Sequence, residues 1–194
     1  MNTLKLSLAA TLVLALGACG GERPAPAEMT GDPQHSGGSA PSATQAHVEL
    51  APTEGSEVRG SLTFTDEGGA LRLHGTITGL EPGSARGFHI HEFGDCSAPD
   101  ATSAGGHWNP QGHDHGRRSQ GEFHAGDMDN ITADASGSVT VDDVLTGLEI
   151  GTGSARDVVG RSVIVHKGTD DYVSQPTGDA GARAACGVIE LQEG

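Results

Sequence analysis

From His47 onward the chain alternates apolar and polar residues in short runs, each closed by residues that favour turns. A period of two puts successive side chains on opposite faces of a strand. The pattern therefore predicts strands near 46–51, 57–66, 70–79, 86–91, 128–133, 138–144, 161–166 and 186–191. Breaks fall at Glu67-Gly68-Gly69, Glu81-Pro82-Gly83 and Ser136-Gly137. Eight short strands, with no long stretch at helical period, imply an all-β domain whose sheet closes on itself or folds into a sandwich. The segments 92–127 and 167–185 lack strand pattern, and loops that long in a compact domain carry function.

The first residues follow a different pattern. Met1 to Cys19 has Lys5, then a run of Leu, Ala and Val too short to span a bilayer, ending in Leu16-Gly17-Ala18-Cys19. Residues 1–18 read as a signal peptide with small residues before a cysteine, the pattern of a bacterial lipoprotein cleavage site. Cys19 would then carry lipid, and Gly20 after it favours the outer membrane of a cell envelope, facing the periplasm. Residues 19–45 hold Pro24, Pro26, Pro33 and Pro41 among Ala, Gly, Ser and Thr, and read as a tether. A flexible chain of that length spans about 25–30 Å. The folded domain is expected over 46–194.

Composition narrows the partners. The chain carries a net charge of −15, and loses one more positive charge if Lys5 is removed with the leader. An acidic balance of that size argues against a nucleic-acid partner, and membrane contact is expected only through lipid on Cys19. Gly numbers 31 against four Phe, one Tyr and one Trp, which suits a sheet protein with long loops better than a helical bundle.

The candidate chemistry lies in the histidines. His89 and His91, inside Gly87-Phe88-His89-Ile90-His91, point to one strand face while Phe88 and Ile90 point to the core. A pair of imidazoles so placed suits copper, zinc, iron or nickel. His166 ends the β-branched run Val163-Ile164-Val165, so it belongs to a buried strand that can meet that face. His115, His124 and Asp127 lie in a Gly-rich stretch without a period, hence on a loop folded around something. Three nitrogens and a carboxylate make the closed tetrahedral set usual for structural zinc. His113, two residues before His115, reads as a solvated loop residue. His35 and His47 are scattered, and whether they collect metal stays open. Trp108, Phe93 and Phe123 read as packing residues.

Four blocks in one order, GFHIHEFGDC, SAGGHWNP, HAGD and GARAACGVI, resemble the copper/zinc superoxide dismutase family, in its exported bacterial form. The resemblance covers about residues 46–192. It implies an eight-stranded Greek-key β-barrel or sandwich, immunoglobulin-like, with two long functional loops. It implies copper held by His89, His91, His107 and His166, and zinc held by His107, His115, His124 and Asp127, with His107 bridging the metals. Asp170 would link His89 to His115, Arg183 would hold the incoming anion, and Thr177 would narrow the entry. The implied activity is dismutation of superoxide to oxygen and hydrogen peroxide by copper alternating between Cu(II) and Cu(I). His107 would release reduced copper and take a proton for the peroxide. The implied role is protection of the cell envelope from external superoxide.

Once Cys19 is processed two cysteines remain, and in an exported protein Cys96 and Cys186 should be bonded, pinning the first loop to the barrel. The short interval between Cys96 and the SAGGH block departs from many bacterial relatives and leaves a homodimer open. Pro176 stands where eukaryotic relatives carry a lysine, so steering of the anion is expected from Lys167 and from Arg117 with Arg118. A metal-sequestering protein and a purely structural sandwich are the rival readings. Arg183 favours the enzyme, because storage has no use for an anion-binding arginine.

Overall fold

The computed structural model describes residues 44–192, so the leader, Cys19, most of the tether and His35 lie outside the described residues. Within them the chain forms β1 (Gln45–Pro52), β2 (Arg59–Asp66), β3 (Ala70–Thr78), β4 (Ala85–Arg86), β5 (Phe88–His91), β6 (Ile131–Thr132), β7 (Val139–Thr146), β8 (Ser162–His166) and β9 (Arg183–Leu191). One 3₁₀ turn, Thr102–Ala104, interrupts the first long loop. Seven strands form one antiparallel sheet in the order β5-β8-β9-β1-β2-β3-β7, and β4 pairs with β6. The meander β1-β2-β3 is followed by an excursion through β4, β5 and β6. β7 then returns beside β3, and β8 lies near the far edge, which is the connectivity of a Greek-key barrel.

Alternation does what the sequence pattern predicts. Val48 and Leu50 of β1, Leu62 and Phe64 of β2, Leu71, Leu73 and Ile77 of β3, and Val141 and Leu145 of β7 face one core with Phe88 and Ile90. β8 is buried on both faces. Val163 and Val165 join the main core, whereas Ile164 meets Cys186, Ala101 and Ala104 in a second, smaller cluster beneath the first loop. The Cys96–Cys186 disulfide, with Cα atoms 5.8 Å apart, holds that loop down.

Three strands differ from the expected ones by a break or by more than two residues. The strand expected at 86–91 is split at Gly87, because the chain changes partner there: β4 pairs with β6 and β5 with β8. Gly87 donates to the Gly168 carbonyl at 2.8 Å and accepts from the His166 N–H at 2.8 Å. A Cβ at this position would stand 2.8 Å from that of Ala180. The strand expected at 128–133 shrinks to Ile131–Thr132 because the chain before it is drawn to β5, with Asp127 bridged to His89. The last strand begins at Arg183 instead of 186, and loop 167–185 is correspondingly shorter. Arg183 pairs with His166 across a bulge, and Thr53, just after β1, donates to the Ala184 carbonyl.

Candidate metal centre

β5 carries His89 and His91, and β8 ends on His166; their ladder places His89 opposite Ile164 and His91 opposite Ser162. The outer edge of β5 is taken by the first loop instead of another strand. Ile90 donates to the Gly126 carbonyl at 2.8 Å, Trp108 to the Ile90 carbonyl at 2.9 Å and Gly126 to the Trp108 carbonyl at 2.9 Å. These bonds set His107 and Asp127 beside the His-x-His pair, as the bridges His91–His107 and His89–Asp127 record.

Two buried four-residue clusters result, His89, His91, His107, His166 and His107, His115, His124, Asp127. In each, one donor atom per residue lies within 4.8 Å of every other, and His107 belongs to both. Oxygens around the rings fix which nitrogen is protonated, since an oxygen of this kind only accepts. His91 Nδ1 donates to the Gly105 carbonyl at 3.0 Å, and His166 Nδ1 to the Gly181 carbonyl at 3.1 Å. Their Nε2 lone pairs then face each other at 3.3 Å, a repulsive arrangement unless a cation lies between them. His89 Nε2 donates to Asp170 Oδ2 at 2.7 Å and His115 Nε2 to Asp170 Oδ1 at 3.0 Å, so one carboxylate spans the two clusters.

The inward atoms are the ones left without partners. His89 Nδ1, His107 Nε2, His115 Nδ1 and His124 Nδ1 are buried and make no hydrogen bond. Around Asp127 Oδ1 stand His107 Nδ1 at 2.8 Å, His115 Nδ1 at 3.0 Å and His124 Nδ1 at 3.4 Å. Asp127 Oδ2 is held away by the N–H groups of His124 at 2.8 Å and Gly116 at 3.1 Å. Buried polar atoms are normally satisfied, so converging orphan nitrogens fit imidazole-binding cations.

Electrostatics agree with a site built for positive charge. Burial opposes ionisation of Asp127, yet the His107, His115 and His124 rings gathered around it and the His124 N–H hold it far below the usual carboxylate range. Asp170 is likewise lowered, by His115 and then His89 against the cost of burial. Burial pushes His107 down to about 4 and His166 down to about 3, and keeps His91 well below its ordinary value. His115 is the exception: burial works against its charge, but Asp127 and Asp170 raise it to about 9.

Arg183 is half-buried and its guanidinium donates to the carbonyls of Ala101 and Gly105, the latter also holding His91. It lines a cleft of about 370 Å³ with Lys167, Thr102, Asp100 and Glu54. Thr177 is half-buried, and its hydroxyl makes no hydrogen bond among the described residues.

The expected outer rim of cations needs correction. Arg117 is paired with Asp129 at 2.9 Å, and Arg118 donates to the carbonyls of Asp127, Ala125 and Thr146. Both guanidinium groups therefore stabilise the loop and are poorly placed to attract an anion; Lys167 is exposed and the only lysine among the described residues. Trp108 is buried with Arg161 stacked 4.0 Å above it, whereas Phe93 is 56 % exposed and is not a core residue. His113 is exposed, and His47 pairs with Glu49 at 2.7 Å on β1; neither belongs to a cluster.

Three supporting residues escaped the sequence reading. Asn130 donates to the Asp170 carbonyl at 2.8 Å and accepts from its N–H at 2.9 Å. Gln175 holds the backbone of His115 in the same two-way manner. Gly178, at φ 63°, leaves room where a Cβ would lie 1.8 Å from Asp170 Oδ1. Nothing in local sequence marks an amide that clamps a chain segment far away.

An antiparallel Greek-key barrel with two histidine clusters sharing one ring at the end of β5 and β8 defines a binuclear metalloprotein. Residues 58–189 match the family model described as copper/zinc superoxide dismutase (SODC), and the chain belongs to that family. It is 40% identical over 149 residues to Superoxide dismutase (Cu-Zn) 2 of Aquifex aeolicus, covering 75% of this chain and 86% of the relative. It is 43% identical over 148 residues to a Cu-Zn superoxide dismutase of Candida albicans, covering 71% and 93%. Among solved structures, the clock protein EA4 superposes with a TM-score of 0.69 at 35% identity, over 80% of this chain and 99% of that one. A SOD-like protein from Bacillus subtilis superposes with a TM-score of 0.65 at 37% identity, over 73% and 96%.

Proposed function

We propose that His89, His91, His107 and His166 hold copper, that His107, His115, His124 and Asp127 hold zinc, and that the chain dismutes superoxide. The observation that carries this reading is the pair of four-donor clusters joined by His107 in a protein of this family. Copper bound there supplies one-electron chemistry, oxidising one superoxide to oxygen as Cu(II) and reducing a second to hydrogen peroxide as Cu(I). The residues position the anion and supply one proton, and solvent supplies the second that peroxide needs. Arg183, held by the Ala101 and Gly105 carbonyls, presents a fixed cation to the anion by a charge-assisted hydrogen bond. His91 and His166, each fixed at Nδ1 by a carbonyl, keep their Nε2 atoms aimed inward. His107 Nε2 is the buried atom placed to hand a proton to reduced substrate, while its Nδ1 faces Asp127. Asp170 orients His89 and His115 together, so that the geometry of one cluster depends on the other. Thr177 narrows the approach to small anions.

The cell-envelope location is part of the same proposal. It is supported by the leader over residues 1–18, the small residues before Cys19 and the Cys96–Cys186 disulfide, which suits an oxidising compartment. Mass analysis of the mature amino terminus is expected to find lipid on Cys19, and an unmodified Cys19 would remove the anchor. The activity is tested by superoxide loss with the purified, copper- and zinc-loaded chain, which is expected to be fast. Arg183→Ala should lower it by at least about tenfold, the loss of a charge-assisted donor at the reacting anion. A fully loaded chain that does not accelerate superoxide loss overturns the reading.

A further inference from the structure

His115 is the point at which the two long loops meet. Its ring is fixed by Asp170 through Nε2, and its backbone is fixed by a residue of the same segment five positions further on. The Gln175 carboxamide accepts from the His115 N–H at 2.8 Å and donates to the His115 carbonyl at 2.8 Å. The planar amide thus pairs with one residue as a neighbouring strand would. Gly178 then packs against the ring side, where a Cβ would stand 2.6 Å from His115 Nε2. Residues 170–178 form a hoop around His115, with Asp170 on the ring, Gln175 on the backbone and Gly178 closing the gap. The hoop is braced internally. The Asp171 N–H donates to the Gly178 carbonyl at 2.8 Å, the Gly178 N–H to the Ser174 carbonyl at 2.7 Å, and Asp171 Oδ1 accepts from the N–H groups of Val173 and Ser174. Thr177 lies inside this braced segment, two residues after Gln175.

We propose that Gln175 is a positioning residue that couples the second metal cluster to the segment carrying Thr177, by locking the backbone of His115 to that segment. The proposal rests on the reading of His115 as a zinc ligand and deepens it. A histidine held at both its backbone and its outer ring nitrogen has one direction left for Nδ1, so the ligand is oriented before the metal arrives. The coupling is reciprocal: metal on His115 holds the hoop in place, and displacement of the hoop loosens the metal.

The test compares the full chain, loaded with copper and zinc, with Gln175→Met and Gln175→Glu. Met keeps the length and removes both hydrogen bonds; Glu can still accept from the His115 N–H but sets a carboxylate against the His115 carbonyl. The side chain is exposed, so neither change opens the core. Gln175→Met is expected to pass zinc to a chromophoric chelator about tenfold faster, in the range found when residues supporting metal ligands are changed. Azide, a small anion read by copper absorption, should bind about fivefold more weakly, the coupling expected between the two segments. With cobalt in place of zinc, the visible bands of Gln175→Met should shift, a change that mere loss of fold stability would not produce. Gln175→Glu should fall between Gln175→Met and wild type in zinc release. A wild-type chain that takes up no zinc overturns the ligand assignment and this proposal with it. A wild type that binds zinc normally, with Gln175→Met unchanged in zinc release, cobalt spectrum and azide affinity, overturns the coupling alone.

Discussion

His89, His91 and His166 stand on β5 and β8, whereas His115, His124 and Asp127 stand on a loop with no regular ladder of its own. For the strand-borne set, the pleat decides direction and the β5–β8 register decides distance, so the same bonds that make the barrel make the site. Beyond the bridge of Asp127 to His89, the loop-borne set has no such template. Its positions follow from side-chain clamps: Asp127 Oδ2 on two backbone N–H groups, Gln175 on His115, Asp170 on the His115 ring, and Arg118 on three carbonyls. One cluster is thus a property of the sheet and the other a property of contacts between loops. The loop-borne half should yield first when either is stressed, because loops open at lower free energy than core strands.

The largest expected effect comes from the ring both halves share. His107→Ala should lose both metals, His91→Ala copper chiefly and Asp127→Ala zinc chiefly, as read by elemental analysis of reconstituted protein. If Asp127→Ala loses copper as completely as zinc, the two halves are not separable in this way.

Next comes the covalent anchor. The Cys96–Cys186 bond closes a separation of 90 residues, worth up to roughly 4–5 kcal/mol in the chain-entropy model. Reduction should lower the melting temperature and speed zinc loss more than copper loss, since the bond pins the loop and leaves the β5–β8 register in place. Equal losses of the two metals would count against the comparison.

Acidity tests the same halves in the chelated, metal-free protein. His107 and His166 are depressed to about 4 and about 3 from 6.5, so the unfolded chain takes protons first and stability falls as pH drops below about 6.5. His115 is raised to about 9, so its contribution is complete below 6.5 and is lost as pH rises through 9. Asp127 and Asp170, both lowered, contribute stability present above 3.8 and lost as pH falls through their folded values. Urea unfolding of the apo chain is therefore expected to show maximal stability near pH 6.5, and an optimum above pH 9 would contradict the charge assigned to His115.

The smallest effect concerns the approach to Arg183. With Arg117 and Arg118 committed to the loop, Lys167 is the cation left to attract superoxide at the cleft, opposed there by Asp100 and Glu54. Lys167→Gln should lower the rate a few-fold and flatten its fall with salt, because exposed charges act over a Debye length of about 8–10 Å. Arg117→Gln should leave the salt dependence as it is and lower stability instead. A wild-type rate level in salt would rule out steering by Lys167.

What could be read from the chain alone was whatever depends on neighbours in sequence. Strand alternation named the core faces, the His-x-His spacing put two rings on one face, and the resemblance carried by four short blocks pointed to the residues that gather in the two clusters and to the two bonded cysteines. Local spacing carries that information because the pleat is a two-residue repeat. The partner change at Gly87, the early start of β9 at Arg183, the commitment of Arg117 and Arg118 to the loop, and the hold of Asn130 and Gln175 on residues 40 and 60 positions away are different in kind. Each depends on which groups, most of them backbone N–H and C=O and for Arg117 the Asp129 carboxylate, the closed barrel leaves without a partner at its metal-bearing end. Those groups exist as unmet donors and acceptors only after folding has removed them from water, so tertiary structure alone decided which side chains would meet them.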